Sequence, residues 1–283
     1  MCYIQNKEVE MKNCYLCESR LFLITKGTRD EPSIDILKCE TCGLRQLSNF
    51  SHITENYYAN SEMKYPNKPI QDTKRRINRL LNVIKDKNVL EFGSGLGTFS
   101  CAVKEHVKSI TAFDLDRQAE DCYYENNIEF YSDLKELSNR KFDVIVMFHV
   151  LEHLSKPINT LMNLKNFLND EGCVYIEVPN ANDALLHTYN VPEFEKFNAY
   201  SGHLFSFTQD NLVSIAKKSG FKCSFVEQVQ RYPLANHIQW LQSGLPQGHL
   251  KYDFLDCENI NTIYESLLSK IGACDTLLAK FTK

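Results

Sequence analysis

The chain has 283 residues, of which 43% are hydrophobic and 24% charged, enough to bury a full α/β core with a small appendage. Its net charge of −4 argues against a general nucleic-acid binder, which carries a basic surplus. No run approaches the roughly 18 apolar residues that cross a bilayer, and the opening "MCYIQNKEVEMKN" is too polar for the core of an export signal; a cytoplasmic protein with reduced or metal-bound thiols is the expectation.

The first feature in chain order is a pair of cysteine turns. "CYLC" (Cys14, Cys17) and "CETC" (Cys39, Cys42) stand 21 residues apart. Each CxxC turn points two thiolates at one centre, and two such turns complete a tetrahedral sulfur site for zinc. Gly43 suits the tight turn after the second pair. Four protein ligands leave no open position, so this zinc is structural. Its binding is worth roughly 10–16 kcal/mol, enough to fold a segment with few apolar residues. Residues 1–50 therefore read as a zinc-binding ribbon. Cys2, Cys101, Cys122, Cys173, Cys223, Cys257 and Cys274 lack paired spacing and read as ordinary core or surface residues.

Residues 51–86 read as a linker and a helix. The Tyr-rich "NYYANSEMKY" (Asn56–Tyr65) runs into Pro66 and Pro69, and Asp72 is placed to cap a helix over Thr73–Ile84. Ile77, Leu80, Leu81 and Ile84 give that helix its apolar stripe. Lys74, Arg75, Arg76 and Arg79 read as its solvated face. Strands and helices then alternate: Asn88–Phe92, Ser109–Phe113, Ile128–Tyr131, Phe142–Phe148 and Cys173–Val178 are strand-like, and Ile158–Phe167 is helical. Such alternation predicts a mainly parallel sheet covered on both faces. After an irregular aromatic stretch, Asp183–Tyr200, come a helix over Gln209–Ser219 closed by Gly220 and a strand over Phe221–Val226. The core is thus predicted over residues 87–230. The tail Ile260–Phe281 reads as a helix on Ile263, Leu267, Leu268, Ile271, Leu277 and Leu278, making 231–283 a helical extension that closes an acceptor pocket or joins two chains.

"VLEFGSGLGTF" (Val89–Phe99) sits at the first strand-to-helix turn, where open α/β sheets bind nucleotides. Gly93, Gly95 and Gly97 leave the backbone bare. Thr98 occupies the place of the last glycine in the dinucleotide fingerprint. With Glu91 before it, the stretch resembles motif I of the class I S-adenosylmethionine (SAM) methyltransferases. The resemblance extends through "SITAFD", "FYSD", "FHVLEHL" (Phe148–Leu154) and "VYIEVPN", and covers roughly Val89–Asn180. "FHVLEHL" is similar to the signature of the ubiquinone and sugar branches. The resemblance implies an α/β, Rossmann-like class I methyltransferase sheet, here with a small N-terminal zinc ribbon. It implies SAM as cofactor, with S-adenosylhomocysteine (SAH) as product. Glu91 would lie near the ammonium group, and Gly93, Ser94, Gly95 and Gly97 would form the cradle. Asp114 would accept the ribose hydroxyls, with Leu115 beside it and Asp116 as the near alternative. Asp133 would meet the adenine amino group, and Phe148 and His149 would face the cofactor.

A four-cysteine module joined to this core is similar to the sugar C-methyltransferases and the methyltransferases of surface-polysaccharide gene sets. Their Tyr-x-Glu-His motif is matched by "YSGHLFSF", which keeps Tyr200 and His203 but has Gly202 in place of the glutamate. The loss disfavours removal of a carbon-bound proton. Only roughly sixty residues follow the next helix, so the resemblance is expected not to extend to the large carboxy-terminal half of those enzymes. The resemblance implies methylation of an oxygen on a small polar acceptor: a sugar, nucleotide-linked or phosphate-containing precursor of a surface polysaccharide. His203 is the expected base, with Tyr200 and His149 beside it. Tyr57 and Tyr58 are expected to wall the pocket. From "RYPLANHIQWLQSGLPQGH", which also holds Asn236 and His249, the expected acceptor contacts are Arg231, His237 and Trp240; an ordinary helix anchored by its Trp is the alternative. An RNA methyltransferase with a zinc ribbon, a sugar C-methyltransferase and a non-catalytic SAM-fold module are the rival functions. The expected partner is a small molecule, with neither nucleic acid nor membrane, and a homodimer is left open.

Overall fold

Two sheets organise the described residues of the computed structural model, 13–54, 57–58 and 70–283. Cys2 and most of the Tyr-rich linker, with its two prolines, lie outside these residues. In chain order the elements are β1 (Leu21–Thr25), β2 (Ile36–Cys39), β3 (Arg45–Leu47), α1 (Ile70–Ile84), β4 (Asn88–Phe92), α2 (Thr98–Val103), β5 (Ser109–Phe113), α3 (Glu120–Glu125) and β6 (Glu129–Tyr131). There follow β7 (Phe142–Phe148), α4 (Pro157–Leu164), β8 (Leu168–Pro179), α5 (Ala184–His187), α6 (Pro192–Asn198), β9 (Phe205–Ser206), α7 (Gln209–Lys218) and β10 (Lys222–Val229). The last are α8 (Leu234–Ser243), α9 (Gly248–Lys251), α10 (Glu258–Lys270) and β11 (Thr276–Thr282).

The larger sheet has the order β10-β11-β8-β7-β4-β5-β6. Its strands β6, β5, β4, β7 and β8 are parallel. They read as apolar runs because helices cover both faces; Val144, Ile145, Val146 and Met147 of β7 are all buried. The chain winds outward through β5 and β6 on one side of β4 and then crosses to β7 on the other. That reversal opens a crevice at the carboxyl ends of β4 and β7, where such sheets bind ligands.

The helical tail is overturned beyond Lys270. Gly272, at φ +69°, lets the N–H of Ala273 bond back to the carbonyl of Leu268 at 3.0 Å, which stops α10. The chain then returns as β11, antiparallel between β8 and β10. Leu277, Leu278, Ala279 and Phe281 are buried there. A core ending at residue 230 would lack this interior strand, so the carboxy-terminal segment supplies sheet as well as helix.

The smaller sheet runs β1-β2-β3-β9. Its last strand comes from the far side of the core, with Arg45 opposite Ser206 and Gln46 opposite Phe205. The ribbon is thereby stitched to the "YSGHLFSF" segment. Helix α1 begins at Ile70, before the expected start, so Asp72 lies inside its first turn instead of capping it. Leu80 and Ile84 bury its apolar stripe.

Candidate active site

A cleft of about 1110 Å³ opens at the carboxyl ends of β4, β5, β6 and β7. This exceeds what one drug-sized ligand fills, leaving room for a nucleoside and a second molecule. The turn after β4 forms one wall, and its glycines are sterically required. Gly93 and Gly97 have φ of +79° and +71°. A Cβ would stand 2.3 Å from Val150 Cγ2 at Gly93 and 2.6 Å from Tyr123 Cε1 at Gly97.

Asp114 closes the turn from the neighbouring strand. Its Oδ2 accepts the Gly95 N–H at 2.7 Å and its Oδ1 the Asp116 N–H at 2.9 Å; burial raises its pKa. Asp133, at the end of β6, accepts the Lys135 N–H at 2.9 Å. Ser94, Leu115 and Phe148 also line the cleft. Glu91 is 4% exposed and accepts the N–H of Ser100 at 3.1 Å. Burial pushes its carboxyl up to about 7. A bare backbone beside a carboxylate that faces the cleft suits an adenosine-bearing cofactor: the turn admits the ligand's chain, and the acid can accept from a diol. The residues fit SAM.

At the other end of the cleft Arg75, Arg76 and His149 converge on the buried acid Glu177. Arg75 approaches it at 2.8 and 3.0 Å and Arg76 at 2.7 and 3.0 Å. Against the effect of burial, the charges of Arg76 and Arg75 hold Glu177 well below the usual carboxylate range. Arg75 and Arg76 therefore turn inward, correcting the solvated-face reading. A charged acid inside a central strand needs such partners, so Glu177 in "VYIEVPN" was the available sign. Asp72 takes Arg75 at 3.1 Å and is paired by both Nε and Nη2 of Arg231.

His149 stands between these groups. It has φ +56°, a left-handed backbone held by its N–H donating to the Glu177 carbonyl at 2.8 Å. Nδ1 lies 3.1 Å from Glu152 Oε1, and Nε2 lies 2.9 Å from Arg231 Nη1 and 3.3 Å from Glu177 Oε1. Because the guanidinium can only donate, we assign the ring proton to Nδ1, facing Glu152. Burial pushes Glu152 up, but His149, His153 and His203 outweigh it and bring the acid down to about 2.

The structure separates the other expected residues into two sets. Tyr58, His149, Arg231 and His249 line the cleft, and Tyr58 donates to the His153 carbonyl at 2.6 Å. Tyr57 packs edge-on against Tyr58 and His52. His203 is not among the described residues that line the cleft. Its ring lies 4.9 Å from that of His153 and 5.5 Å from that of Tyr200, and Tyr200 lies against the Arg29 guanidinium. Burial first, then His153, pushes His203 down to about 3, far too low for a base matched to neutral pH. His203 and Tyr200 thus sit behind His153, whose Nδ1 is 2.6 Å from the Gly202 carbonyl oxygen.

His237 and Trp240 belong to packing, which corrects their assignment to the acceptor. Trp240 is 3% exposed, with ring centroids 5.0 Å from Phe194 and 5.1 Å from Phe197. The His237 ring bonds Tyr264 Oη at 2.8 Å, and burial lowers it to about 4. An amphipathic helix ordinarily buries its one Trp. Among the residues of the cleft that the sequence did not assign to it are Asp72, Arg75, Arg76 and Val150.

Away from the cleft, Cys14 Sγ lies 3.5 Å from Cys42 Sγ, and Cys17 Sγ lies 3.4 Å from Cys39 Sγ. All four sulfurs fall within 4.8 Å of one another. Tetrahedral zinc with bonds of about 2.3 Å sets its sulfurs about 3.8 Å apart, so the cluster fits that ion. Among the described residues no helix is long and apolar enough to cross a membrane.

The family model of a methyltransferase domain matches residues 64–224. A ubiquinone biosynthesis O-methyltransferase of Coxiella burnetii is 22% identical over 207 residues, covering 68% of this chain and 88% of that one. A tRNA U34 carboxymethyltransferase of Campylobacter fetus is 36% identical over 105 residues, but these cover 33% of this chain and 37% of that one. Among solved structures, a SAM-dependent methyltransferase from Archaeoglobus fulgidus aligns with TM-score 0.51 at 19% identity, covering 76% of this chain and 94% of that one. The 1,6-didemethyltoxoflavin-N1-methyltransferase of Burkholderia thailandensis, solved with SAH, aligns with TM-score 0.50 at 13% identity, covering 81% and 84%. These structural likenesses bear on the fold.

Proposed function

The chain belongs to the methyltransferase domain family and is a class I SAM-dependent methyltransferase; on that premise we propose that it methylates an oxygen of a small polar acceptor, with His149 as the proton acceptor. The observation that carries this reading is that one cleft is lined by both the glycine turn with Asp114 and His149, whose Nδ1 is backed by the buried Glu152.

The cofactor supplies an already activated methyl group. On the protein's side, Asp114 binds the ribose hydroxyls, Asp133 the adenine amino group and Glu91 the ammonium region, while Gly93, Ser94, Gly95 and Gly97 admit the ligand's chain. Leu115 and Phe148 cover its apolar faces. At the acceptor, His149 Nε2 takes the hydroxyl proton, and Glu152 on Nδ1 stabilises the imidazolium that forms. Tyr58 and Arg231 bound the acceptor. Tyr200 and His203 back His153 without touching substrate. The four cysteines hold a structural zinc.

Oxygen as the accepting atom is supported by Gly202, which replaces the glutamate of the sugar C-methyltransferases. The O-methyltransferase relative aligned over most of the chain points the same way. A surface-polysaccharide precursor is supported by the joining of a four-cysteine module to this core. The test offers methyl-labelled SAM and purified protein to a small-metabolite extract and, separately, to bulk RNA. Label on an oxygen of a small molecule is the expected result. Label in RNA, or on a carbon, rejects the reading.

A further inference from the structure

The lone pair on His149 Nε2 is engaged. Arg231 Nη1 donates to it at 2.9 Å, while the Nε and Nη2 edge of the same guanidinium is bound to Asp72. A base whose lone pair is bonded to a cation cannot receive a proton. The backbone of Arg231 is fixed from below, since Asp275 accepts the N–H groups of Arg231 at 3.0 Å and Tyr232 at 2.9 Å. Any release of His149 must therefore come from the guanidinium turning on a stationary main chain.

We propose that the acceptor carries a carboxylate or phosphate beside the hydroxyl to be methylated, and that this anion draws Arg231 Nη1 off His149 Nε2, freeing the base only when the acceptor is in place. The inference rests on the reading that His149 is the base of methyl transfer. Three guanidinium groups, Arg75, Arg76 and Arg231, meet two carboxylates, Asp72 and Glu177, at this end of the cleft. Arg75 Nε is in addition buried without a partner among the described residues. An oxyanion makes a stronger charge-assisted bond to a guanidinium than a neutral imidazole does, so the exchange runs toward the acceptor. The reaction balances. The hydroxyl proton passes to Nε2, the oxygen's electron pair forms the new C–O bond, and the C–S bond breaks, its electrons neutralising the sulfonium. The imidazolium then releases its proton to solvent. A neutral acceptor of the same shape leaves Arg231 in place and is methylated poorly, which makes Arg231 a determinant of specificity.

The test uses ¹⁵N-histidine-labelled, SAH-saturated protein titrated with inorganic phosphate, with His149 identified from the spectrum of His149→Asn. Phosphate is expected to bind saturably and to shift the Nε2 resonance toward that of an imidazole nitrogen accepting no hydrogen bond. Arg231→Gln, checked for an unchanged melting temperature, should start near that endpoint and bind phosphate at least tenfold more weakly; Arg231→Lys should keep part of the affinity. If phosphate leaves Nε2 unmoved, or binds Arg231→Gln equally well, the inference fails. It fails also if SAH alone produces the whole shift, because the anion is then the cofactor's own carboxylate. These readouts need no turnover. A phosphate response without methyl transfer to any small molecule would overturn the reading of the reaction and leave the anion site standing.

Discussion

Asp275 accepts the backbone N–H of Arg231 at 3.0 Å, tying the entry to the last strand to the loop that carries a guanidinium into the cleft. Its carbonyl also accepts the Asn180 N–H at 2.9 Å, just beyond the end of β8. The carboxy-terminal strand and the Arg231 end of the cleft are therefore one mechanical unit.

Removing that strand should be ruinous. A chain cut after Lys270 loses β11 from between β8 and β10 and exposes the facing sides of both. Four buried apolar side chains go with it, each worth about 1.5–3 kcal/mol of burial except the smaller alanine. The sum rivals the whole stability of a domain. The truncated chain is expected to show no cooperative unfolding transition by circular dichroism. A cooperative melt with SAH binding intact would instead mean that the tail is dispensable.

His149 and His203 should differ sharply on substitution. His149→Asn is expected to lower kcat by about 10²–10⁴-fold, the usual weight of a general base. His203→Asn, one layer behind, should stay within about tenfold and act mainly on thermal stability. The reverse order, read from initial rates with methyl-labelled SAM, would return the base to the position favoured by the sequence.

Asp183 gives a pH dependence of stability. Burial first, then the charge of Asp275, raises it from 3.8 to about 8. Between about pH 4 and 8 the folded chain thus holds a proton that the unfolded chain has released. This contribution to stability is fully present below pH 4 and is lost as pH rises through 8. Asn at this position keeps an acceptor for the Leu185 N–H, which Asp183 Oδ1 receives at 2.7 Å, but does not titrate. The advantage of Asp183→Asn over the parent should grow by up to about 3 kcal/mol from pH 5.5 to pH 8.5. Urea midpoints at the two pH values measure it, and a gain that is flat or falls with pH contradicts the assignment.

The ribbon should contain one zinc per chain. Chelation, or Cys39→Ser, is expected to release it and to unpair β3 from β9, since structural zinc supplies much of the folding energy of such a segment. Metal analysis gives the stoichiometry. Amide exchange at Leu47, whose N–H donates to the Leu204 carbonyl at 3.1 Å across that seam, gives the consequence. A metal-free preparation with this amide still protected would refute it.

The parallel core was legible because its strands are apolar runs closed by motif residues: four of the five predicted core strands end at the same residue, and the fifth within one residue of it. Strand β11 was not. "TLLAKFT" is a short apolar run, and such runs do not distinguish strand from helix by periodicity; only Gly272 announced the stop. The end of the cleft formed by the glycine turn was readable because a glycine turn must be glycine. The end that gathers His149 and Arg231 was not, because it is assembled from α1, β8 and the loop after β10. Burial hid the difference between His237, bound to Tyr264, and His149, which faces open space. Glu177 is instructive: one acid inside an apolar strand required cations, yet the basic run that supplies them looks like an exposed helical face.

The most direct test of the account is a crystal structure with SAH bound. Both ribose hydroxyls are expected on Asp114, the adenine near Asp133 and the sulfur facing His149 Nε2 across room for an acceptor. A ribose held elsewhere, or a sulfur turned away from His149, would contradict it.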